Sequence, residues 1–122
     1  MWRVLVLLLV LLLVSCATTP ASNEPAAVPY RSEWTRPGFN QAELTRGIYT
    51  RSIIEAGIEG LLTLRCDVMA SGKVRNCTQL KPLPRLGDAM VERLERTHME
   101  PARRNGEPVS VSYVFHFSFH PD

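Results

Sequence analysis

The sequence has no marked excess of charge of either sign and no apolar run long enough to cross a membrane as a helix. Its 14 basic and 12 acidic residues leave a net charge of +2, which gives no electrostatic support for nucleic acid binding. The longest apolar run, Val4 to Val14, rises about 16 Å as a helix, whereas a bilayer core is about 30 Å thick. A nucleic-acid-binding protein and a permanent transmembrane helix are therefore both disfavoured.

The sequence also lacks the motifs of common enzymes. It contains no Ser-His-Asp arrangement, no paired carboxylates in a credible pocket and no phosphate-cradling glycine loop. Its three histidines are His98, His116 and His120, and the last two would lie about 13 Å apart on one strand, too far to share a metal ion. We therefore predict no enzymatic activity, no metal site and no cofactor.

The start of the chain has the pattern of an exported, lipid-anchored protein. A short basic start, Met1-Trp2-Arg3, precedes the apolar run, which is typical of a signal peptide. Leu13-Val14-Ser15-Cys16 resembles the lipobox of bacterial lipoproteins, in which the cysteine thiol is lipidated and the signal is cut immediately before it. This resemblance implies acyl chains, palmitate among them, on Cys16. An ordinary signal peptide with a chance cysteine and an uncleaved anchor are the alternatives.

The residue after the cysteine predicts the membrane. In lipoproteins of Gram-negative bacteria, an aspartate at this position usually retains the protein in the inner membrane, and Ala17 stands there in this sequence. The resemblance therefore implies a protein anchored to the periplasmic face of the outer membrane.

A tether and a short flap are predicted to follow the cysteine. Ala17 to Pro29 consists mainly of small residues, polar residues and prolines, which indicates a solvated tether. In Tyr30 to Gly47, Pro37-Gly38 predicts a turn that is followed by a short helix. Trp34 and Phe39 are expected to pack over the domain as part of this flap, with partner anchoring as the alternative.

Two strands joined by a tight turn are predicted in the middle of the chain. Leu61 to Met69 alternates apolar and polar side chains, which is typical of a half-buried strand. Ser71-Gly72 supplies the turn, and Val74 to Leu80 resumes an extended pattern. Val74 and Cys77 can both face the core only if the alternation breaks between them, as in a β-bulge.

A helix and a third strand complete the predicted fold. A short helix ended by Gly57 precedes the first strand, and a longer helix is predicted from Leu86 to Thr97 because large apolar residues recur every fourth position. Val109 to Phe119 has the strongest strand pattern in the chain. The order ββαβ predicts an α+β fold in which a three-stranded antiparallel sheet of order 2-1-3 packs against one main helix.

Cys66 and Cys77 are predicted to form a disulfide. They lie at equal distances from the centre of the hairpin turn, so they should sit opposite each other. Export places them in an oxidising compartment, and a cross-strand pair can meet the Cα separation that a disulfide needs. Two buried free thiols and a redox pair are the alternatives, although the redox pair lacks a close Cys-x-x-Cys motif.

Three segments, in this order, resemble the C-terminal domain of TonB. They are Gly57-Ile58-Glu59-Gly60 before the first strand, Ser71-Gly72-Lys73-Val74 at the turn, and Glu100 to Val109 before the last strand. We therefore divide the chain into a signal peptide at 1–15, a lipidated cysteine, tether and flap at 16–47, and a TonB C-terminal-like domain at 48–122.

The sequence departs from this family in two ways. Many members have proline after the tyrosine at position 49, tryptophan at Thr97 and phenylalanine at Met99. An energy transducer also has an N-terminal transmembrane helix and a long proline-rich spacer, neither of which is seen in this sequence. The first departure implies smaller packing between the helix and the strand, and the second argues against energy transduction by this chain alone.

The resemblance implies that the domain binds protein. Domains of this family capture a receptor segment as an added strand, and the last strand is expected at a sheet edge. The expected partner is an extended peptide, such as part of an outer-membrane receptor in TonB-dependent transport. A homodimer through this edge, a covered edge and a structural subunit of an envelope complex are the alternatives. The residues predicted to bind the partner are Ser112, Tyr113, Val114, Phe115, His116, Phe117 and Ser118.

Overall fold

The computed structural model of the chain describes residues 25–122. The predicted signal peptide, Cys16 and the first part of the predicted tether lie outside these residues. The predicted series of strand, strand, helix and strand is present, which confirms the α+β class. In chain order the described elements are β1 (Val28–Pro29), α1 (Gln41–Thr45), α2 (Arg51–Glu55), β2 (Gly60–Val68), β3 (Val74–Lys81), α3 (Leu86–Glu95), β4 (Ala102–Arg104), β5 (Glu107–Val109) and β6 (Val111–Phe119).

The main sheet has four strands in the order β1-β6-β2-β3. β2 pairs antiparallel with β3 on one side and with β6 on the other, from Gly60 opposite Phe119 to Val68 opposite Val111. The prediction of three strands is wrong in detail, because β1 adds a short parallel strand beside β6. The prediction of a solvated tether is therefore wrong for its last two residues, Val28 and Pro29, which form β1. Two residues, one of them proline, carry no alternation from which a strand could be recognised.

The β2–β3 hairpin turns at Ala70-Ser71, one residue before the predicted centre, and the Gly72 N–H closes the turn by donating to the Met69 carbonyl at 2.8 Å. Gly72 has a φ of 91°, which favours glycine there. The register of the hairpin shifts farther along, where Asn76 takes a φ of 56°. This shift is the β-bulge that allows Val74 and Cys77 to face the same side, so the predicted break in alternation is confirmed.

A disulfide joins Cys66 of β2 to Cys77 of β3, with the two Cα atoms 4.1 Å apart. Cys66 is fully buried and Cys77 packs against the same core. The predicted disulfide is confirmed, and it links the two strands from their inner face.

The core lies between the inner face of the sheet and α3. Leu86, Met90 and Leu94 recur one turn apart along α3 and are fully buried. Burying each such side chain stabilises the fold by about 1.5–3 kcal/mol. The helix ends at Glu95, two residues before the predicted end. The sheet contributes Leu62, Leu64, Cys66, Val68, Val111, Phe115, Phe117 and Phe119 to this core.

β4 and β5 form a small separate hairpin that the sequence analysis did not predict. Asn105 and Gly106, with φ of 53° and 83°, form its tight turn. Pro108 lies within β5 opposite Arg103 and has no N–H to donate. Arg103 exchanges its backbone hydrogen bonds with Thr35 instead, at 3.0 and 3.2 Å, and therefore needs no donor from the proline.

The flap before the domain is extended where a turn was predicted. Gly38 exchanges two backbone hydrogen bonds with Glu100, at 2.9 and 3.0 Å. The turn predicted at Pro37-Gly38 is therefore wrong, because the backbone of Glu100 offers an extended partner, and the chain turns earlier, at Ser32-Glu33. The short helix predicted after it is confirmed as α1.

One arginine fastens the flap to the main helix. The Arg93 guanidinium on α3 donates to the carbonyls of Glu43, Leu44 and Arg46 at 3.5, 3.3 and 3.1 Å. These carbonyls lie at the C-terminal end of α1, where intrahelical donors are absent. Leu44 is buried in the same core, so the flap is held by both a polar and an apolar contact.

Candidate functional site

The strand β6 divides its side chains between two faces of the sheet. Phe115 and Phe117 point into the core and are only 1% exposed. Val114 is 38% exposed, and His116 and Ser118 are exposed beside it on the outer face. The alternation read from the sequence therefore gives this strand one buried and one solvated face.

β1 covers the first part of the outer edge of β6. The Val28 N–H donates to the Ser110 carbonyl at 3.0 Å, and the Tyr30 N–H donates to the Ser112 carbonyl at 3.2 Å. The Tyr30 ring also meets the Tyr113 ring edge to face, with centroids 5.2 Å apart. Ser112, one of the residues predicted to bind a partner, is thus already paired within the chain.

The remaining edge of β6 is open. Beyond β1 the chain turns away, and within residues 25–122 no strand pairs with this side of β6 after Ser112. Because the Ser112 carbonyl faces this edge, alternation directs the N–H and C=O groups of Val114, His116 and Ser118 to it as well. These unpaired groups can accept an added strand of about five residues.

A shallow hollow lies on the outer face where β1 ends. Arg65 on the central strand lies beside Val114, is exposed, and forms no salt bridge or side-chain hydrogen bond with any other described residue. His116 Nδ1 lies 3.3 Å from Thr63 Oγ1. Within residues 25–122 no Asp or Glu lines the hollow, so the Arg65 guanidinium lies next to backbone groups that have no partner in this part of the chain. The lining residues are Pro29, Tyr30, Arg65, Ser112, Tyr113, Val114 and His116.

The disulfide supports the strand that carries this arginine. Cys66 follows Arg65 on β2 and lies opposite Tyr113 in the register with β6. Its bond to Cys77 fixes β2 to β3 at the same level of the sheet. The hollow is therefore bordered by a covalently tied central strand on one side and by β1 on the other.

Trp34 and Phe39 both pack on the domain. The Arg104 guanidinium lies over the Trp34 ring, 5.7 Å from its centroid. Phe39 meets Phe115 edge to face at 5.3 Å and remains 37% exposed. These contacts agree with the expected flap, in which Trp34 is partly buried and Phe39 keeps an exposed outer side.

Other polar groups of the described residues show no reactive arrangement. Burial, and then the charge of Glu59, raise the pKa of the Tyr49 hydroxyl, which donates to the Ile58 carbonyl at 2.8 Å. No group of three or more His, Cys, Asp or Glu side chains within residues 25–122 is placed to hold a metal ion. No helix in this part of the chain is long and apolar enough to span a bilayer.

Comparison with known proteins identifies one family. The family model described as Gram-negative bacterial TonB protein C-terminal matches residues 47–121, which is more than half of the chain. No curated protein matches the sequence. The match runs from the end of the flap to the end of β6, so it includes β2 and β6 but not β1.

Proposed function

The chain belongs to the TonB C-terminal family, and from this premise we propose that it is a lipid-anchored envelope protein that captures an extended segment of a partner protein at the open edge of β6. Domains of this family mediate protein–protein interactions in the Gram-negative cell envelope. The capture of a peptide, the lipid anchor and a link to TonB-dependent transport are the further steps of the proposal. A binding module, not an enzyme, is the function that we propose.

One observation carries the proposed capture. Val114, His116 and Ser118 direct unpaired backbone groups to a sheet edge that no other described strand covers. Such an edge binds an extended peptide through main-chain hydrogen bonds, while side-chain contacts decide which peptide fits. Behind this edge, β2 is paired on both sides and is linked to β3 by the disulfide.

The proposed anchor limits how far from the membrane the open edge of β6 can reach. Cys16 would carry the acyl chains after removal of residues 1–15, and Ala17 favours the periplasmic face of the outer membrane. Val28 lies twelve positions after Cys16, so this connection reaches at most about 43 Å when extended. A partner must therefore come close to the membrane that holds the anchor.

Replacing Val114 by Pro tests the capture. Pro lacks the N–H that an added strand would use, and within the described residues the Val114 N–H has no partner, so the fold should tolerate the change. Val114→Thr is the matched control, because it keeps the N–H. We expect Val114→Pro to abolish crosslinked capture of envelope proteins and Val114→Thr to retain it, with both variants melting cooperatively. Equal capture by a folded Val114→Pro variant would contradict the proposal.

A second candidate function is that of a structural subunit, which would fasten an envelope complex through the flap. The half-exposed Phe39 is the observation that favours it. Phe39→Ala should then weaken assembly while Val114→Pro leaves it intact. The reverse pattern is expected if the edge of β6 is the binding site.

A further inference from the structure

We infer that the hollow at the end of β1 binds the C-terminal carboxylate of the captured segment. This inference rests on the proposed capture at the edge of β6 and adds which part of a partner is captured. The ligand class is a protein chain that ends in an extended, carboxylate-terminated stretch.

β1 limits how far an added strand can run. It occupies the same edge of β6 up to the hydrogen bond between the Tyr30 N–H and the Ser112 carbonyl. The edge-to-face contact of Tyr30 with Tyr113 fills the space at that point. A strand paired with Val114, His116 and Ser118 must therefore end, or leave the edge, beside Tyr30.

The positive charge of Arg65 indicates which end of the captured segment lies at the hollow. An added strand parallel to β6 would bring its N-terminus to β1, whereas an antiparallel strand would bring its C-terminus. Arg65 borders the hollow, has no carboxylate partner among the described residues and would repel a terminal amine. The same guanidinium can bind a terminal carboxylate through two parallel hydrogen bonds. An antiparallel strand therefore fits both the end of the free edge at β1 and the positive charge of Arg65.

The other residues that line the hollow leave the Arg65 guanidinium available to bind a terminal carboxylate. The Tyr30 hydroxyl already donates to the Trp34 carbonyl at 3.0 Å, and His116 is engaged with Thr63. Asp67, the nearest acidic residue along β2, accepts a hydrogen bond from the Asn76 side chain at 3.0 Å. Among the described residues, Arg65 is thus a cation in the hollow that forms no ion pair with Asp67 or with any other carboxylate.

The test compares free and blocked C-termini on the full chain purified in detergent. Random heptapeptides are displayed at the free C-terminus of a carrier and, in a second library, in front of a fixed Gly-Ser tail. Selected sequences are then synthesised as free acids and as C-terminal amides. Their dissociation constants are measured by fluorescence anisotropy for the wild type, Arg65→Gln, Val114→Pro and the control Lys81→Gln, which removes an exposed cation from the far strand β3.

We expect binders from the free-terminus library, and amidation should weaken them by at least about 10-fold, since hydrogen bonds to charged groups are worth about 1.5–3 kcal/mol. Arg65→Gln should bring the ratio of amide to acid dissociation constants close to one, whereas Lys81→Gln should leave it unchanged. Val114→Pro should abolish binding of both forms.

Four results would overturn the inference. Equal affinity of acid and amide, or a ratio that survives in Arg65→Gln, would show that the hollow does not bind a terminal carboxylate. Binders drawn only from the tailed library, with an internal Asp or Glu that depends on Arg65, would assign the hollow to an acidic side chain instead. If no selected peptide depends on Val114, the proposed capture itself fails, together with the inference.

Discussion

Arg93 shows how a single side chain holds two parts of the fold together. Its guanidinium donates to three carbonyls at the end of α1, so Arg93→Gln should lower the free energy of unfolding by about 1–2 kcal/mol. The matched control is Arg96→Gln on the same helix, because Arg96 forms only an exposed ion pair with Glu92 at 3.5 Å. That variant should cost less than about 0.5 kcal/mol. Equal losses in urea denaturation would contradict the structural role of Arg93.

The disulfide contributes stability of a different kind. It closes a loop with a sequence separation of 11 between Cys66 and Cys77, and a loop of this length is worth about 3 kcal/mol through the lost entropy of the unfolded chain. We expect reduction, or the double change Cys66→Ala and Cys77→Ala, to lower the urea midpoint accordingly. The double variant should no longer respond to reductant. An unchanged midpoint on reduction of the wild type would contradict this account.

These residues differ in how far the sequence could predict them. Cys66 and Cys77 were paired from their symmetric positions about one turn, because the information is local to the hairpin. Arg93 and Arg65 carried no such signal. Their roles depend on contacts with residues about 50 positions away, such as Arg46 for Arg93 and Val114 for Arg65, and one sequence does not specify those contacts.

Among the secondary-structure elements, β6 makes the clearest prediction. Amides that face β2 should exchange slowly with solvent, whereas those of Val114, His116 and Ser118 should exchange fast, since they face the open edge. Hydrogen exchange followed by NMR should therefore show alternating protection, with Phe115 and Phe117 among the slow amides. Uniform protection along the strand would mean that another chain covers the edge, as in a homodimer.

Elements with strong internal periodicity were predicted well, and short ones were not. The long strands and α3 follow from apolar patterns over eight or more residues. β1 and the β4–β5 hairpin contain two and three residues per strand, which is too few for a pattern. They form because other parts of the fold offer partners, such as Ser112 for Tyr30 and Thr35 for Arg103.

At the scale of the whole chain, β1 determines where the segment from the proposed anchor joins the sheet. Because β1 runs parallel to β6, the chain joins the sheet at the start of β6, and in the proposed anchored form the connection from the membrane would arrive there. The open edge from Val114 to Ser118 then lies along the C-terminal part of β6. β1 thus fixes where the chain joins the sheet and leaves about half of the outer edge of β6 for a partner.

The most direct test of edge capture is photo-crosslinking in the intact envelope. A photoreactive amino acid is placed in turn at Val114, His116 and Ser118, and as controls at Glu92 and Glu95 on the exposed side of α3. We predict that the three edge positions form adducts with a common partner and that the two helix positions do not. Adducts at the helix positions alone, or equally at all five, would contradict the claim that this protein works through the open edge of β6.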